Sequence, residues 1–212
     1  MADETAKTTR KRDPAATKER ILRAGLVEFG AKGYSGARTA QIAKRAKSNN
    51  RMINHYFGGK EDLYLACLDR VYLKIRAEEQ KLELTQLSPP EAIRKLVEFT
   101  FDHMQANPDF VNLAGIENTH RGKFVKKLPK VANAAAHLIE TIDGVLQRGV
   151  DEGAFRHRED AFQLYVSILA LSYVHLSNRH TLSITYGRDL SDREWLAERR
   201  IHACRVILSS LI

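Results

Sequence analysis

From Thr17 to Leu211 the apolar side chains recur three and four residues apart, the period of a helix face, and no useful length of strand alternation appears. Leu22, Leu26 and Phe29 mark a first helix. Thr17 is its expected N-cap, Glu19 favours its first turn, and Gly30 and Gly33 end it. A short second helix is expected from Thr39, its N-cap, to Ala46, with Ile42, Ala43 and Ala46 inward. Lys47-Ser48 makes a turn, and a third helix runs from about Asn50 to Phe57, where Gly58-Gly59 stops it. Leu63, Cys67, Val71 and Ile75 then repeat at four-residue spacing on a fourth helix from about Lys60 to Leu84.

Ser88-Pro89-Pro90 opens a helix of about Pro90 to Asn107, carrying Ile93, Leu96, Val97, Phe101 and Met104. Pro108 starts a shorter helix, and Leu128 a long one that reaches Glu152 before Gly153. The segment from about 160 to 178 is apolar on nearly every side, which marks burial on more than one face. A loop is expected over 179–190 and a last helix over about 191–211. The expected fold class is therefore all-α, with about nine helices: a small three-helix head and a larger helical body. The boundaries expected are a flexible basic arm over 1–16, a head over 17–62 and a body over 63–212, joined by the fourth helix.

Charge changes this picture from architecture to partner. Residues 1–60 hold 14 Lys/Arg against 5 Asp/Glu, and residues 61–212 hold 20 against 21, so the whole positive excess lies in the head and its arm, with Arg10-Lys11-Arg12 clustered. A localised excess of this kind favours a polyanion, nucleic acid before an acidic membrane surface. No amphipathic helix has a dense basic face, and no apolar run reaches about 18 residues, so no membrane partner is expected. The N-terminus lacks an apolar signal core, and Cys67 and Cys204 form no paired motif, as expected of free thiols in the cytoplasm.

Two short helices joined by a tight turn, with a first helix behind them, make a helix-turn-helix, whose second helix enters the major groove. The third helix has the two faces this needs. Met52, Ile53, Tyr56 and Phe57 anchor it, while Asn49, Asn50, Arg51, Asn54 and His55 crowd it with donors and acceptors. Arg pairs with guanine and Asn with adenine through two hydrogen bonds each. Arg38, Thr39, Lys44, Tyr56 and Lys60 flank the unit, where phosphates would lie.

The stretch RTAQIAKRAKSNNRMINHYFGGKEDLY, within roughly residues 17–64, resembles the signature of the tetracycline-repressor (TetR) family of bacterial regulators. Thr39, Ile42, Ala43, Ala46, Tyr56, Phe57, Lys60, Glu61 and Leu63 carry the match. Two positions depart from it. Lys47-Ser48 stands where the family commonly has Gly and an aliphatic residue, and Asn54 where an aromatic is usual. The resemblance implies a homodimer on a palindromic, double-stranded operator, built by the last two helices, about 160–178 and 191–211. It also implies a small-molecule effector held in the body that shifts the spacing of two heads and releases DNA. The unmatched apolar surface of those two helices independently suggests a partner copy.

Polar and aromatic groups inside the apolar body helices are the effector candidates: Phe99, His103, Asn112, Glu117, His120, Tyr165, Leu169 and Tyr173. Glu117 and Arg121 also have the spacing of a helix ion pair. His103, His120, His137, His175 and His180 form neither an HExxH nor a Cys/His box, so no metal is expected; no GxSxG or P-loop occurs, so neither an enzyme nor a cofactor is expected. The reading is a ligand-responsive, sequence-specific repressor. The alternative is a sequence-nonspecific DNA-binding protein whose body only dimerises.

Overall fold

The computed structural model describes residues 13–212, which carry ten α-helices and, among the described residues, no strand. The Arg10-Lys11-Arg12 cluster lies outside the described residues. The chain divides into two compact units, Met1–Cys67 and Leu68–Ile212.

The first unit holds α1 (Pro14–Gly36), α2 (Thr39–Arg45), α3 (Asn50–Phe57) and the start of α4 (Lys60–Gln80). Helix α1 begins earlier than expected, inside the stretch read as arm. Asp13 is the N-cap: its side chain accepts from the N–H groups of Ala15 and Ala16, and Pro14 follows at a position that needs no N–H. Thr17, the expected cap, is instead a buried helical residue whose hydroxyl donates to the Asp13 carbonyl at 3.0 Å. Nor does Gly30 end α1. The break falls at Gly33, with φ 67° and ψ 176°, a conformation open to glycine and costly elsewhere.

Ile21, Phe29, Ile42, Ile53, Leu63 and Tyr64 are each at most 1 % exposed and make the core of this unit. Tyr64 meets Phe29 edge-on at 4.9 Å and Tyr34 at 5.2 Å between ring centroids. A Cβ on Gly25 would stand 3.0 Å from Cys67 Sγ and 3.5 Å from Leu63 Cδ1, so α1 and α4 approach where only hydrogen fits without movement. Those contacts belong to the first unit, which runs through Cys67.

The second unit contains α5 (Pro89–Ala106), α6 (Pro108–Thr119), α7 (Pro129–Asp151), α8 (Ala161–Ser177), α9 (Arg179–Tyr186) and α10 (Arg193–Ser209). Helix α5 packs against α6, α7, α8 and α10. Ile93, Leu96, Val97 and Phe101 on α5, Ile142 and Leu146 on α7, Ile168 on α8 and Ala203 and Ile207 on α10 form its central cluster. Prolines at the first turns of α5, α6 and α7 pre-set φ where the backbone N–H has no helical partner.

Two expectations fail here. Helix α4 stops at Gln80 rather than near Leu84, because Glu83 takes a left-handed conformation (φ 50°) and Leu84 packs from a short 3₁₀ turn, Leu84–Gln86. Residues 179–186, expected as loop, form α9, which brings the helices to ten. This helix buries no residue, so it has no apolar stripe to announce it; Gly187, at φ 62°, closes it. Among the described residues no helix is long and apolar enough to cross a membrane.

Candidate nucleic-acid interface

The turn between α2 and α3 is built by backbone bonds. Lys47 N–H donates to the Lys44 carbonyl at 3.1 Å and Ser48 N–H to the Ala43 carbonyl at 2.9 Å. Lys47 takes φ 49°, the left-handed region, which costs a side-chain-bearing residue about 1–2 kcal/mol relative to the right-handed helix. The position where the family commonly has glycine therefore keeps a glycine-like backbone under a lysine. Arg20 Nε on α1 donates to the Ala46 carbonyl at 3.3 Å and ties the turn to the helix behind it.

Helix α3 is closed at both ends. Asn49 Oδ1 accepts from Met52 N–H at 3.1 Å, the bond of an N-cap. Gly58, at φ 85°, ends the helix, and its N–H donates to the Asn54 carbonyl. Between these caps the two faces separate. Ile53 is buried and Met52, Tyr56 and Phe57 are half-buried. Asn50, Arg51, Asn54 and His55 are exposed, and the spacings 50–54, 51–54 and 51–55 put them on one stripe. Among the described residues, the side chains of Asn50, Arg51 and Asn54 make no hydrogen bond within the chain. Asn49 differs, since its carbonyl oxygen already serves the cap.

The flanking candidates also sort by position. Thr39, expected as the N-cap of α2, is its first helical residue and is half-buried; Arg38 occupies the cap, extended and without a side-chain bond. The backbone N–H of Arg38 and the ammonium of Lys32 converge on the buried Glu28 carboxylate, which lies below its usual range chiefly through the Lys32 hydrogen bond. Lys44 and Arg38 are exposed. Lys60 opens α4 with its ammonium 4.9 Å from the centroid of Tyr34, while Lys18 lies 5.6 Å from that of Phe57, so both cations lean on aromatic faces. The His55 and Tyr56 rings meet edge-on at 4.9 Å.

A family model described as "Bacterial regulatory proteins, tetR family" matches residues 21–67, and one described as "Tetracyclin repressor-like, C-terminal domain" matches residues 89–207. The chain belongs to the TetR family. It is 35% identical to the HTH-type transcriptional repressor NicS of Pseudomonas putida over 182 residues, 86% of each chain. It is 28% identical to the HTH-type transcriptional repressor SCO4008 of Streptomyces coelicolor over 161 residues, 76% of this chain and 79% of the other. The fold is shared with the crystal structure of putative transcriptional regulator SCO4942 from Streptomyces coelicolor, at TM-score 0.69 and 21% identity, over 92% of this chain and 98% of that one. This TetR-family chain is thus a DNA-binding transcriptional regulator whose helix-turn-helix is α2 and α3.

In the body of this TetR-family protein the eight effector candidates fall into separate places. His103 is buried between Phe99 and Phe110, and its Nδ1 lies 2.9 Å from Glu78 Oε2. Burial chiefly lowers its pKa, against the pull of Glu78. Glu117 turns to the chain after α6: its Oε2 accepts from the N–H groups of Phe124 and Val125, each at 3.0 Å, and fixes that segment. His120 Nδ1 bonds the Ile116 carbonyl at 2.8 Å, and Asn112 is exposed. Tyr173 donates to the Val111 carbonyl at 3.2 Å, and Leu169 packs half-buried on the core. Tyr165 alone joins a buried charged pair, Arg76 and Glu79.

That pair was missed because charged residues on a helix read as solvated. The available signal was their position: Arg76 and Glu79 follow Ile75, on the side of α4 that the apolar repeat turns inward. They line a cavity of about 460 Å³ with Glu83, Leu84, His137 and Leu138, and none of the eight candidates lines it. No group of three or more His, Cys, Asp or Glu is placed to hold a metal among the described residues.

His175 of α8 is the second buried polar feature. Its ring stacks on Phe101 at 4.9 Å and meets Trp195 at 5.7 Å, and neither nitrogen makes a hydrogen bond of good geometry, the Leu171 carbonyl one turn back contributing only weakly. Burial, and then the Arg199 guanidinium, push its pKa down to about 4. The folded state thus binds this proton less readily than the unfolded chain, so stability is lost as pH falls from 6.5 towards 4. Glu79, with its pKa raised to about 7, changes stability in the opposite sense between 4.5 and 7. Comparison with a variant isolates the histidine. Urea midpoints of His175→Phe are expected to fall less than those of the wild type between pH 6.5 and pH 4.5; parallel falls would contradict a buried neutral imidazole.

Proposed function

We propose that this regulator is a ligand-responsive repressor that binds a palindromic operator as a homodimer, with residues 17–62 as DNA-binding domain and 63–212 as effector-binding and dimerisation domain. The observation that carries this is the division of α3, anchored on one side by Ile53 and bearing on the other a stripe of exposed groups, of which Asn50, Arg51 and Asn54 make no side-chain hydrogen bond among the described residues. In this reading α3 lies in the major groove, and Asn50, Arg51, Asn54 and His55 meet base edges. Arg38, Thr39, Lys44, Tyr56 and Lys60 hold phosphates, and Asn49 positions α3 through its cap while its amide NH₂ faces the DNA. The repressor sense is supported by the names of NicS and SCO4008.

Dimerisation falls to α8 and α10, the helices expected over about 160–178 and 191–211. Phe162, Val166 and Val174 on α8 and Ile201 and Val206 on α10 are exposed, with Phe162 at 59% and Ile201 at 65%. The α8 residues share the four-residue spacing of one stripe. An apolar stripe of this kind on a helix is the surface an isologous partner covers. An effector bound in the body acts only if it favours one arrangement of the heads over the other, and α4 is the lever through which it would do so.

Two outcomes test this reading. Arg51→Ala should weaken operator binding by about 1–3 kcal/mol and relax preference at one base pair of each half-site, whereas Lys44→Ala should weaken all duplexes alike and lower the salt slope by about 1. An unchanged preference in Arg51→Ala would exclude this orientation of α3. Sedimentation of a Phe162→Glu, Ile201→Glu double variant should show monomers at concentrations where the wild type is dimeric; an intact dimer would place the interface elsewhere.

A further inference from the structure

Arg76 and Glu79, on the second half of α4, are only 9% and 3% exposed. Arg76 Nη2 donates to the Tyr165 hydroxyl at 2.6 Å, and that hydroxyl reaches Glu79 Oε1 at 3.3 Å. Arg76 Nε lies 3.1 Å from Glu79 Oε2, but no hydrogen bond reaches that oxygen. An ionised carboxylate accepts up to about four donors, and this one holds a single long phenol bond beside a guanidinium in poor alignment. A buried carboxylate so placed is under-satisfied. Its pKa rises to about 7, because burial outweighs the attraction of Arg76.

Glu79 is among the residues lining the 460 Å³ cavity, a volume within the range of small-molecule sites, but its Oε2 is itself enclosed, so a ligand donor reaches it only as the side chain adjusts. Glu79 and Glu83 line the cavity together with His137 and one guanidinium, Arg76, which Glu79 and Tyr165 already engage; Leu84 and Leu138 supply apolar wall. An anion entering here meets the Glu83 carboxylate and the ionised fraction of Glu79, and a purely apolar guest leaves Glu79 as it is. We propose that this cavity binds a small organic cation, a protonated amine or amidine whose N–H groups donate to Glu79 and Glu83 while its apolar part lies on Leu84 and Leu138. The proposal rests on the effector-responsive reading above and deepens it, since a ligand held by Glu79 bears directly on α4.

Titration calorimetry on the full-length chain with phenethylamine, 2-phenylethanol and 3-phenylpropionate, each at millimolar concentration, tests it. The amine should bind, the alcohol about tenfold or more weaker, and the carboxylate not at all. Glu79→Gln should weaken the amine by about tenfold or more, and the exposed Glu83→Gln by less. Thermal melts establish whether Glu79→Gln folds; if it does not, Glu83→Gln carries the comparison. Carboxylate binding as tight as that of the amine, amine binding unchanged in the folded variants, or no heat from any probe would overturn the proposal. Operator binding is measured separately without probes. Its retention alongside a failed amine titration removes this site alone, whereas equal affinity for all duplexes removes the regulator reading itself.

Discussion

Helix α3 has eight residues, too few to persist in water, where isolated helices shorter than about 12–15 residues are marginal. Its existence depends on capture. Ile53 is buried in the core of the first unit, Asn49 satisfies the first turn, and Gly58 turns the chain out of the last. Because these residues hold the helix, the stripe at 50, 51, 54 and 55 is released from any structural duty. Residues of middling helix propensity are tolerated there at a cost of a few tenths of a kcal/mol each, small beside the burial of Ile53 at about 1.5–3 kcal/mol. Elsewhere in the same unit α1 and α4 pack tightly, with a glycine at position 25 that lets Cys67 approach α1.

The body is built on the opposite terms. Its core is large enough to carry imperfect polar groups: among the described residues Glu79, Ser172, His175 and Arg199 each hold a buried atom without a hydrogen bond, and two of them stand out. His175 sits neutral among aromatic rings without a hydrogen bond, and Glu79 shares an arginine and a phenol without being satisfied. Burying charge in this way rarely adds stability against an apolar replacement. A site adjoining a cavity gives Glu79 a use for that cost, because a ligand donor can supply what the fold withholds. For His175, enclosed by Phe101 and Trp195, the same conditions leave a component of stability that depends on pH.

Much of the head was legible in the sequence for a physical reason. Its signals are local: glycines after α3, a short turn before it, and apolar residues at helical spacing; the cap by Asn49 was not among them, because Asn49 read as a base-facing group. The start of α1 was misplaced because Asp13 and Thr17 are both good caps by type, and only Pro14 separates them by position. The turn at Lys47 was legible as a turn but not as left-handed, since lysine gives no sign of positive φ. Helix α9 escaped because it buries nothing. The polar sites of the body were least legible. Whether His103, Glu117 or Tyr165 faces a cavity, a backbone turn or a buried ion pair is decided by packing from other helices, and each took a different one of these roles or none facing the cavity.

The central claim is that the exposed stripe of α3 reads sequence. Selection from a random-sequence duplex library with the purified full-length chain tests it most directly, at physiological salt so that phosphate contacts alone do not dominate. The account predicts enrichment of an inverted repeat whose affinity exceeds that of bulk duplex by about 10³-fold or more. A pool that binds but stays without a motif, every duplex held alike, would contradict it.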